Sequence, residues 1–193
     1  MENKAIWEKL QNINDLPTLP GVYFKVDKLL KDKEASVDNI ARIIEIDPAM
    51  SSRILRLVNS AFYGLPSKSN SISHSVSVAV LGKQLAERSR LTAPEDAFIA
   101  GLLHDIGKTI MLKYFKEDFG KVWQTMQETK CSFADAEQEV ASIDHVQIGA
   151  YLARKWQLPE HIIEAIAGHH YYITSSQSTG LVECIMLADG RYS

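Results

Sequence analysis

Apolar residues recur at helical spacing along almost the whole chain, and no stretch alternates apolar and polar residues for long enough to predict a sheet. Asp47 and Pro48 pair a capping carboxylate with a first-turn proline, which is typical of a helix start. Gly64–Ser73 is a polar break rich in Pro, Gly and Ser, and we place a boundary there. The sequence therefore predicts an all-α, two-lobed helical bundle, with an N-terminal lobe at residues 1–70 and a second lobe at residues 71–193.

The composition indicates a globular chain and argues against two classes of partner. Hydrophobic residues make up 46% of the sequence, enough for a substantial core, and the formal net charge of -3 leaves no overall positive field to attract nucleic acid. No apolar run approaches the roughly 20 residues that a membrane-spanning helix needs, and the charged start MENKAIWEKLQNIND lacks a signal-peptide core. We therefore expect a cytoplasmic protein without membrane contact, for which nucleic acid is a poor candidate partner.

Residues with metal-ligand chemistry recur within or beside the apolar helical segments. Imidazole and carboxylate groups together suit divalent metals such as iron, manganese, zinc or magnesium. An aspartate inside an apolar segment also needs a compensating partner, because burying an unpaired carboxylate is costly. The candidate ligands are His74, His104, Asp105, His145, His169, His170 and Asp189.

His104 and Asp105 form a polar pair inside the apolar pattern GLLHDIGK. For these two residues alone, metal ligation and a satisfied polar pair at a helix end are equally good interpretations, since a neighbouring histidine or lysine would also balance the carboxylate. Gly107 and Lys108 follow at once, as if the helix bends or ends there. Such an end would place the pair at a cleft wall, with Lys108 directed at an anion.

The other candidates lie at helix ends or in an apolar helix. His145 follows Asp144 where a helix begins, and a capping-region histidine is a better interpretation there than a ligand. His169 and His170 end an amphipathic helix, and since neighbouring residues on a helix point in different directions we expect at most one of them to face the cleft. Asp189 ends the apolar run IMLAD, where an uncompensated carboxylate would again be costly.

Long motifs in both halves of the chain resemble the HDOD branch (HD-related output domains) of the HD superfamily of metal-dependent phosphohydrolases, which occurs in bacterial signal transduction. The resemblance covers nearly the whole chain, and it implies an all-α fold whose second lobe is of the HD, phosphodiesterase-like type. The motifs are LPTLPGVYFKV, IARIIEIDPAMSSRILRLVNSAFYG, AFIAGLLHDIGK, HVQIGAYLARKWQLPEHIIEAIAGHH and the Ala-Asp pair at 188–189.

The chain departs from the family between its two halves. Family members usually carry a further helical segment before the histidine that opens the HD part, whereas here SISHSVSVAVLGKQLAERS looks like two family segments joined. Either the protein has lost this piece, or a loop near residues 73–78 is missing or disordered. We expect the second, because losing a pair of helices would open the core.

The resemblance also implies roles for the candidate residues. One metal would be held by His74, His104, Asp105 and Asp189, and a second by His145 with one of His169 and His170; Lys108 would be a catalytic residue, neutralising substrate charge, if the protein is an enzyme. In such enzymes the metals activate water for attack on a phosphate ester.

Other features of the resemblance argue against catalysis. HDOD members usually have an incomplete metal set, and the GYP signature of cyclic-di-GMP phosphodiesterases is replaced here by YYITSSQS after the paired histidines. We therefore expect a non-catalytic or weakly catalytic output module that contacts signalling proteins or a regulatory domain, with a structural or vestigial metal at most. The alternative is a metal-dependent phosphohydrolase acting on a nucleotide or cyclic dinucleotide; a nucleic-acid-binding regulator ranks third.

Overall fold

The computed structural model describes residues 7–8, 10–13, 68–141, 143–170 and 179–190. These ranges contain helices and no strands, which confirms the all-α prediction, and none of their helices is long and apolar enough to span a membrane. The N-terminal lobe and its Asp47-Pro48 helix start lie almost entirely outside the described residues. The helices are α1 (Lys68–Ser89), α2 (Pro94–Leu103), α3 (Ile106–Tyr114), α4 (Lys116–Thr129), α5 (Phe133–Val140), α6 (His145–Lys155), α7 (Glu160–Gly168) and α8 (Thr179–Asp189).

Helix α1 begins inside the stretch that we expected to be a polar break. From Lys68 onward this stretch is helical, and α1 continues without interruption to Ser89, through residues 73–78. Serine and asparagine are weak helix formers, but an apolar face that packs on other helices overrides local propensity. Helix α1 packs on α2 and α8 and buries Val78 and Ala86. The expected break is therefore wrong from Lys68 onward, and the division into two lobes stays a prediction.

The core lies around α6, which packs against α3 and α7. Ile148 and Leu152 of α6 and Ile166 of α7 are almost completely buried, and each such side chain contributes about 1.5–3 kcal/mol on transfer from water. Leu10, in the short N-terminal helical segment, belongs to the same core. These contacts hold together the helices that carry the candidate ligands.

Two glycines allow helices to approach closely beside the candidate ligands. A Cβ atom at Gly101 of α2 would lie only 2.7 Å from the Cα of Ala79 in α1, and one at Gly107 of α3 would overlap the carbonyl oxygen of His145 in α6. Any larger residue would push these helix pairs apart. Gly101 therefore lets α2 lie against α1, and Gly107 brings the start of α3 against the start of α6.

Candidate metal centre

The seven candidate ligands converge in the structure, although they come from five separate parts of the fold. Helix α2 ends at Leu103, and a two-residue turn precedes α3, so the chain changes direction at the polar pair in GLLHDIGK rather than at the following glycine. The sources are α1 (His74), the α2–α3 turn (His104 and Asp105), the first residue of α6 (His145), the turn after α7 (His169 and His170) and the end of α8 (Asp189).

Four of these residues form one group, which we call the carboxylate-rich group: His74, His104, Asp105 and Asp189. The Nε2 atom of His74 lies 2.8 Å from Oδ1 of Asp189 and 4.0 Å from Oδ2 of Asp105. The Nε2 atom of His104 lies 3.4 Å from Oδ2 of Asp105 and 3.6 Å from Oδ1 of Asp189. Two imidazoles and two carboxylates thus face one another.

The second group, which we call the nitrogen-rich group, consists of Asp105, His145, His169 and His170. Oδ1 of Asp105 lies 3.3 Å from Nε2 of His145 and 3.6 Å from Nε2 of His169. The Nε2 atom of His145 lies 3.4 Å from that of His169 and 3.1 Å from that of His170. Asp105 therefore belongs to both groups, with one carboxylate oxygen in each.

Backbone carbonyls determine which ring nitrogen of two buried histidines faces the cluster. The Nδ1 of His104 donates to the carbonyl of Gly101 at 2.7 Å, and the Nδ1 of His169 donates to the carbonyl of Ile166 at 2.8 Å. A carbonyl oxygen only accepts hydrogen bonds, so Nδ1 carries the proton and Nε2 of a neutral ring presents its lone pair. Metal ligands are commonly oriented in this way.

Glu137 is a functional candidate that the sequence reasoning missed. Its side chain is fully buried, and it accepts hydrogen bonds from the backbone N–H of His145 at 2.8 Å and from Nδ1 of the same histidine at 2.5 Å. Glu137 lies on the face of α5 that also buries Phe133 and Ala136. A glutamate at an apolar position of an amphipathic helix was the signal that could have revealed it.

His145 faces inward, although the sequence favoured a capping-region histidine. Asp144 is the actual N-cap of α6, because its side chain accepts a hydrogen bond from the backbone N–H of Gln147. The imidazole of His145 is then free to turn into the core, where it is completely buried. Asp144 therefore performs the capping, and the role of His145 as a metal ligand stays a prediction.

Both His169 and His170 face the cluster, and our expectation of at most one is wrong. Helix α7 ends at Gly168, and His169 has ψ of -11°, away from the helical value. The rule that neighbouring residues diverge on a helix does not apply beyond its last turn. The two rings lie with their centroids 4.1 Å apart.

The charges inside the cluster compensate one another. Burial alone would lower the pKa of His104, but the Asp105 and Asp189 carboxylates outweigh burial and raise that pKa to about 9. Burial would raise the pKa of Asp105, but the charges of Lys108 and His104 hold it well below its ordinary value. Burial and the charge of Lys108 lower the pKa of His145. His104 is thus the imidazole that balances the carboxylates when no metal is bound.

Lys108 contacts the cluster through Asp105. Its Nζ lies 2.6 Å from Oδ2 of Asp105 and 5.2 Å from the ring centroid of Phe133, and its side chain is 13% exposed. The ammonium group is therefore held beside the carboxylate shared by the two ligand groups. From this position it supplies positive charge at the edge of the cluster.

The donor set fits a divalent metal. Within the part of the chain that the structure describes, His104 Nε2 and Asp105 Oδ1 are buried atoms that make no hydrogen bond. In each of two sets, which share Asp105, the ligand atoms lie within 4.8 Å of one another. The sets are His74 with His104 and Asp105, and Asp105 with His145, His169 and His170. Buried ligand atoms that make no hydrogen bond are what a bound cation satisfies.

Curated relatives cover most of this chain but extend well beyond it. An uncharacterized protein of Treponema pallidum is 25% identical over 195 residues, which cover 82% of this chain and 38% of that protein. Ribonuclease Y of Mesoplasma florum is 29% identical over 170 residues, covering 83% of this chain and 28% of the enzyme. The chain therefore spans less than half the length of these relatives.

Solved structures share the fold. The structure of an HDOD domain protein with unknown function from Geobacter sulfurreducens matches with a TM-score of 0.73 and 25% identity, covering 95% of this chain and 74% of that one. A protein of Shewanella amazonensis matches with a TM-score of 0.64 and 22% identity, covering 94% of this chain and 78% of that one. At 22% identity, the match to the Shewanella protein shows a shared fold and nothing more.

The family model described as the HDOD domain matches this chain twice. The matches cover residues 16–78 and residues 69–172, so residues 69–78 belong to both. Residues 71–78 of this overlap fall in the stretch that looks, in sequence, like two family segments joined. Together the matches cover most of the chain, and this protein belongs to the HDOD family.

Proposed function

We propose that this chain is a metal-dependent phosphohydrolase whose centre holds two divalent metal ions. The observation that carries the proposal is the convergence of seven candidate ligand side chains into two groups that share Asp105. Asp105 has one oxygen in each group and would therefore be a ligand common to both sites. Imidazole and carboxylate donors without thiolates favour iron, manganese or zinc, with magnesium less suited to the nitrogen-rich group.

Phosphate-ester hydrolysis is the chemistry that such a centre supports. Bound divalent metals activate water near neutral pH and neutralise the charge of a phosphoryl group. Two residues of the protein would orient the reaction. Asp105 belongs to both ligand groups, and Lys108 beside it supplies positive charge for an anionic substrate. His74 is 33% exposed, whereas His145 and His169 are fully buried, so we expect substrate to enter from the His74 side.

The substrate class is a nucleotide, a cyclic dinucleotide or another phosphodiester. Similarity to ribonuclease Y adds a short RNA to the substrates that need testing, although the net charge of -3 makes nucleic acid a poor general partner. The predicted cytosolic location is consistent with each of these substrates.

The alternative proposal is the non-catalytic output module that the sequence favoured. Membership of the HDOD family supports it, because the expectation of an output module was based on the resemblance to this family. In this case a metal would stabilise the fold, and the activity would consist of contacts with a signalling protein or regulatory domain. The two proposals differ in one observable, which is turnover by the metal-loaded protein.

Elemental analysis followed by a hydrolysis assay tests the proposal. We expect purified wild-type protein to retain iron, manganese or zinc and to hydrolyse bis(p-nitrophenyl) phosphate. Asp105→Ala removes the shared carboxylate, so both the metal content and the hydrolysis should fall to background.

His161→Ala is the matched control, because His161 lies outside the cluster and pairs with Asp96 at 3.1 Å. This variant should retain metal and activity. Wild-type protein that binds no metal after reconstitution would refute the metal centre. Stoichiometric metal without turnover on the model diester, a cyclic dinucleotide or RNA would instead favour the output module.

A further inference from the structure

We propose that Glu137 is a positioning residue for the nitrogen-rich group and that, through His145, it makes this group bind its metal ion before the carboxylate-rich group does. The inference rests on the proposed metal centre and goes beyond it by ranking the two subsites. Its starting point is that both oxygens of one buried carboxylate are directed at a single histidine.

The imidazole of His145 has a stronger partner than those of the other two fully buried histidines. Nδ1 of His104 and Nδ1 of His169 each donate to a neutral backbone carbonyl, whereas Nδ1 of His145 donates to the Glu137 carboxylate at 2.5 Å. Burial raises the pKa of Glu137 to about 8, and in its ionised form this side chain accepts hydrogen bonds that are roughly twice as strong as those to a neutral group. A carboxylate behind an imidazole also raises its basicity as a ligand.

The second oxygen of Glu137 fixes the backbone that carries this ligand. It accepts the N–H of His145, which is one of the N–H groups in the first turn of α6 that have no partner within the helix. The ring and the main chain of His145 are therefore held by the same side chain. This arrangement leaves Nε2 directed at Asp105, 3.3 Å away.

The surroundings of the two groups also differ. His145 and His169 have no exposed side-chain surface, whereas His74 in the carboxylate-rich group is 33% exposed. The nitrogen-rich group has three imidazoles, of which His145 and His169 are fully buried and oriented through Nδ1 and His170 is part-buried, whereas the carboxylate-rich group has one fully buried imidazole, His104. The larger number of imidazoles favours a transition metal in the nitrogen-rich group. Because of this difference, the nitrogen-rich group binds its metal ion first and the carboxylate-rich group binds its ion second.

A purely structural role for Glu137 is the competing explanation, since a carboxylate near the first turn of α6 stabilises that helix by itself. A helix-capping role predicts that loss of the carboxylate lowers the stability of the metal-free protein. It also predicts that the affinities for the two metal ions fall by the same factor. A positioning role predicts a selective effect on one of the two binding steps.

Titration of the metal-free full chain with Co²⁺, followed by visible absorption and calorimetry, distinguishes these roles. Wild type should show a tight and a weak step. Glu137→Gln should weaken the tight step by about 10–100-fold and leave the weak step within about twofold, because an NH2 donor replaces one of the two oxygens that accept from His145. Asp189→Asn should have the opposite effect, weakening the weak step alone.

Glu139→Gln is the matched control on the exposed side of the same helix, and it should titrate like wild type. If Glu137→Gln does not fold, Glu137→Asp takes its place; it keeps the charge and should weaken the tight step by a smaller factor. Titrations of Glu137 variants that match wild type, or that lose both steps equally, would overturn the inference while leaving the metal centre intact. A wild-type chain that binds no Co²⁺ would overturn both.

Discussion

At the scale of single residues, His104 lies between two carboxylates in the metal-free protein. Its Nε2 atom is 3.4 Å from Asp105 and 3.6 Å from Asp189, and its side chain is fully buried. These carboxylates raise the pKa of His104 to about 9 against the opposing effect of burial. A group whose pKa is raised on folding stabilises the folded state while it is protonated, and the stabilisation is lost as the pH rises through the folded pKa.

We predict that His104→Gln destabilises the metal-free protein most at about pH 6, where the wild-type imidazole is charged in both states. The difference in the free energy of unfolding between wild type and variant should shrink from about pH 7 to 9 and be small at about pH 10. Urea unfolding in the presence of a chelator measures this difference. A difference that stays constant or grows with pH would show that His104 does not carry the balancing charge.

At the scale of elements, the close contact between α3 and α6 brings Asp105 beside His145. Gly107, two residues after Asp105, lies directly against the backbone of α6, and an added Cβ would also come within 2.9 Å of the backbone nitrogen of Gly149. Because the obstruction is backbone and not a flexible side chain, the helices must move apart to relieve it.

We predict that Gly107→Ala destabilises the protein by about 1–3 kcal/mol or more and lowers metal retention, because Asp105 moves away from His145. Urea unfolding and elemental analysis measure the two effects. Gly120→Ala in α4 is the matched control, since nothing lies within 4 Å of an added Cβ there. The control should gain about 0.5–1 kcal/mol from improved helix propensity. A Gly107→Ala variant as stable as wild type would contradict the close-contact argument.

At the scale of the whole molecule, the proposed metal ligands come from five parts of the fold that only folding brings together. Metal ions would therefore bind the folded chain far better than the unfolded chain. A ligand at a concentration 100 times its Kd stabilises the folded state by about 2.7 kcal/mol.

We predict that saturating Mn²⁺ raises the Tm of the wild-type chain by about 5–10 °C, as expected for a protein of this size. Asp105→Ala should show little or no rise, and a chelator should reverse the wild-type shift. Scanning fluorimetry measures all three. An equal shift in wild type and variant would indicate metal binding outside the cluster.

The candidate ligands could be predicted from sequence because their chemistry is local. Histidines and aspartates at the ends of apolar helices are visible as residue types, and the pattern GLLHDIGK places two of them side by side. The interpretations of three histidines, His145, His169 and His170, were less accurate. For His145 a capping-region histidine was favoured over a ligand, whereas Asp144 provides the cap and His145 lies in the cluster. One of His169 and His170 was expected to face away, whereas both face the cluster.

The sequence by itself determined the helical class and the chemical types of the candidate ligands, since periodicity and side-chain identity do not depend on distant parts of the chain. The family resemblance implied two sets of ligands, and the tertiary structure decided which residues join, share and support those sets. Contact between α5 and α6 pairs Glu137 with His145, and the end of α7 turns both His169 and His170 inward. The approach of α3 to α6 at Gly107 makes Asp105 common to both groups. These relations depend on the three-dimensional arrangement of helices that are far apart in sequence, and no local pattern encodes them.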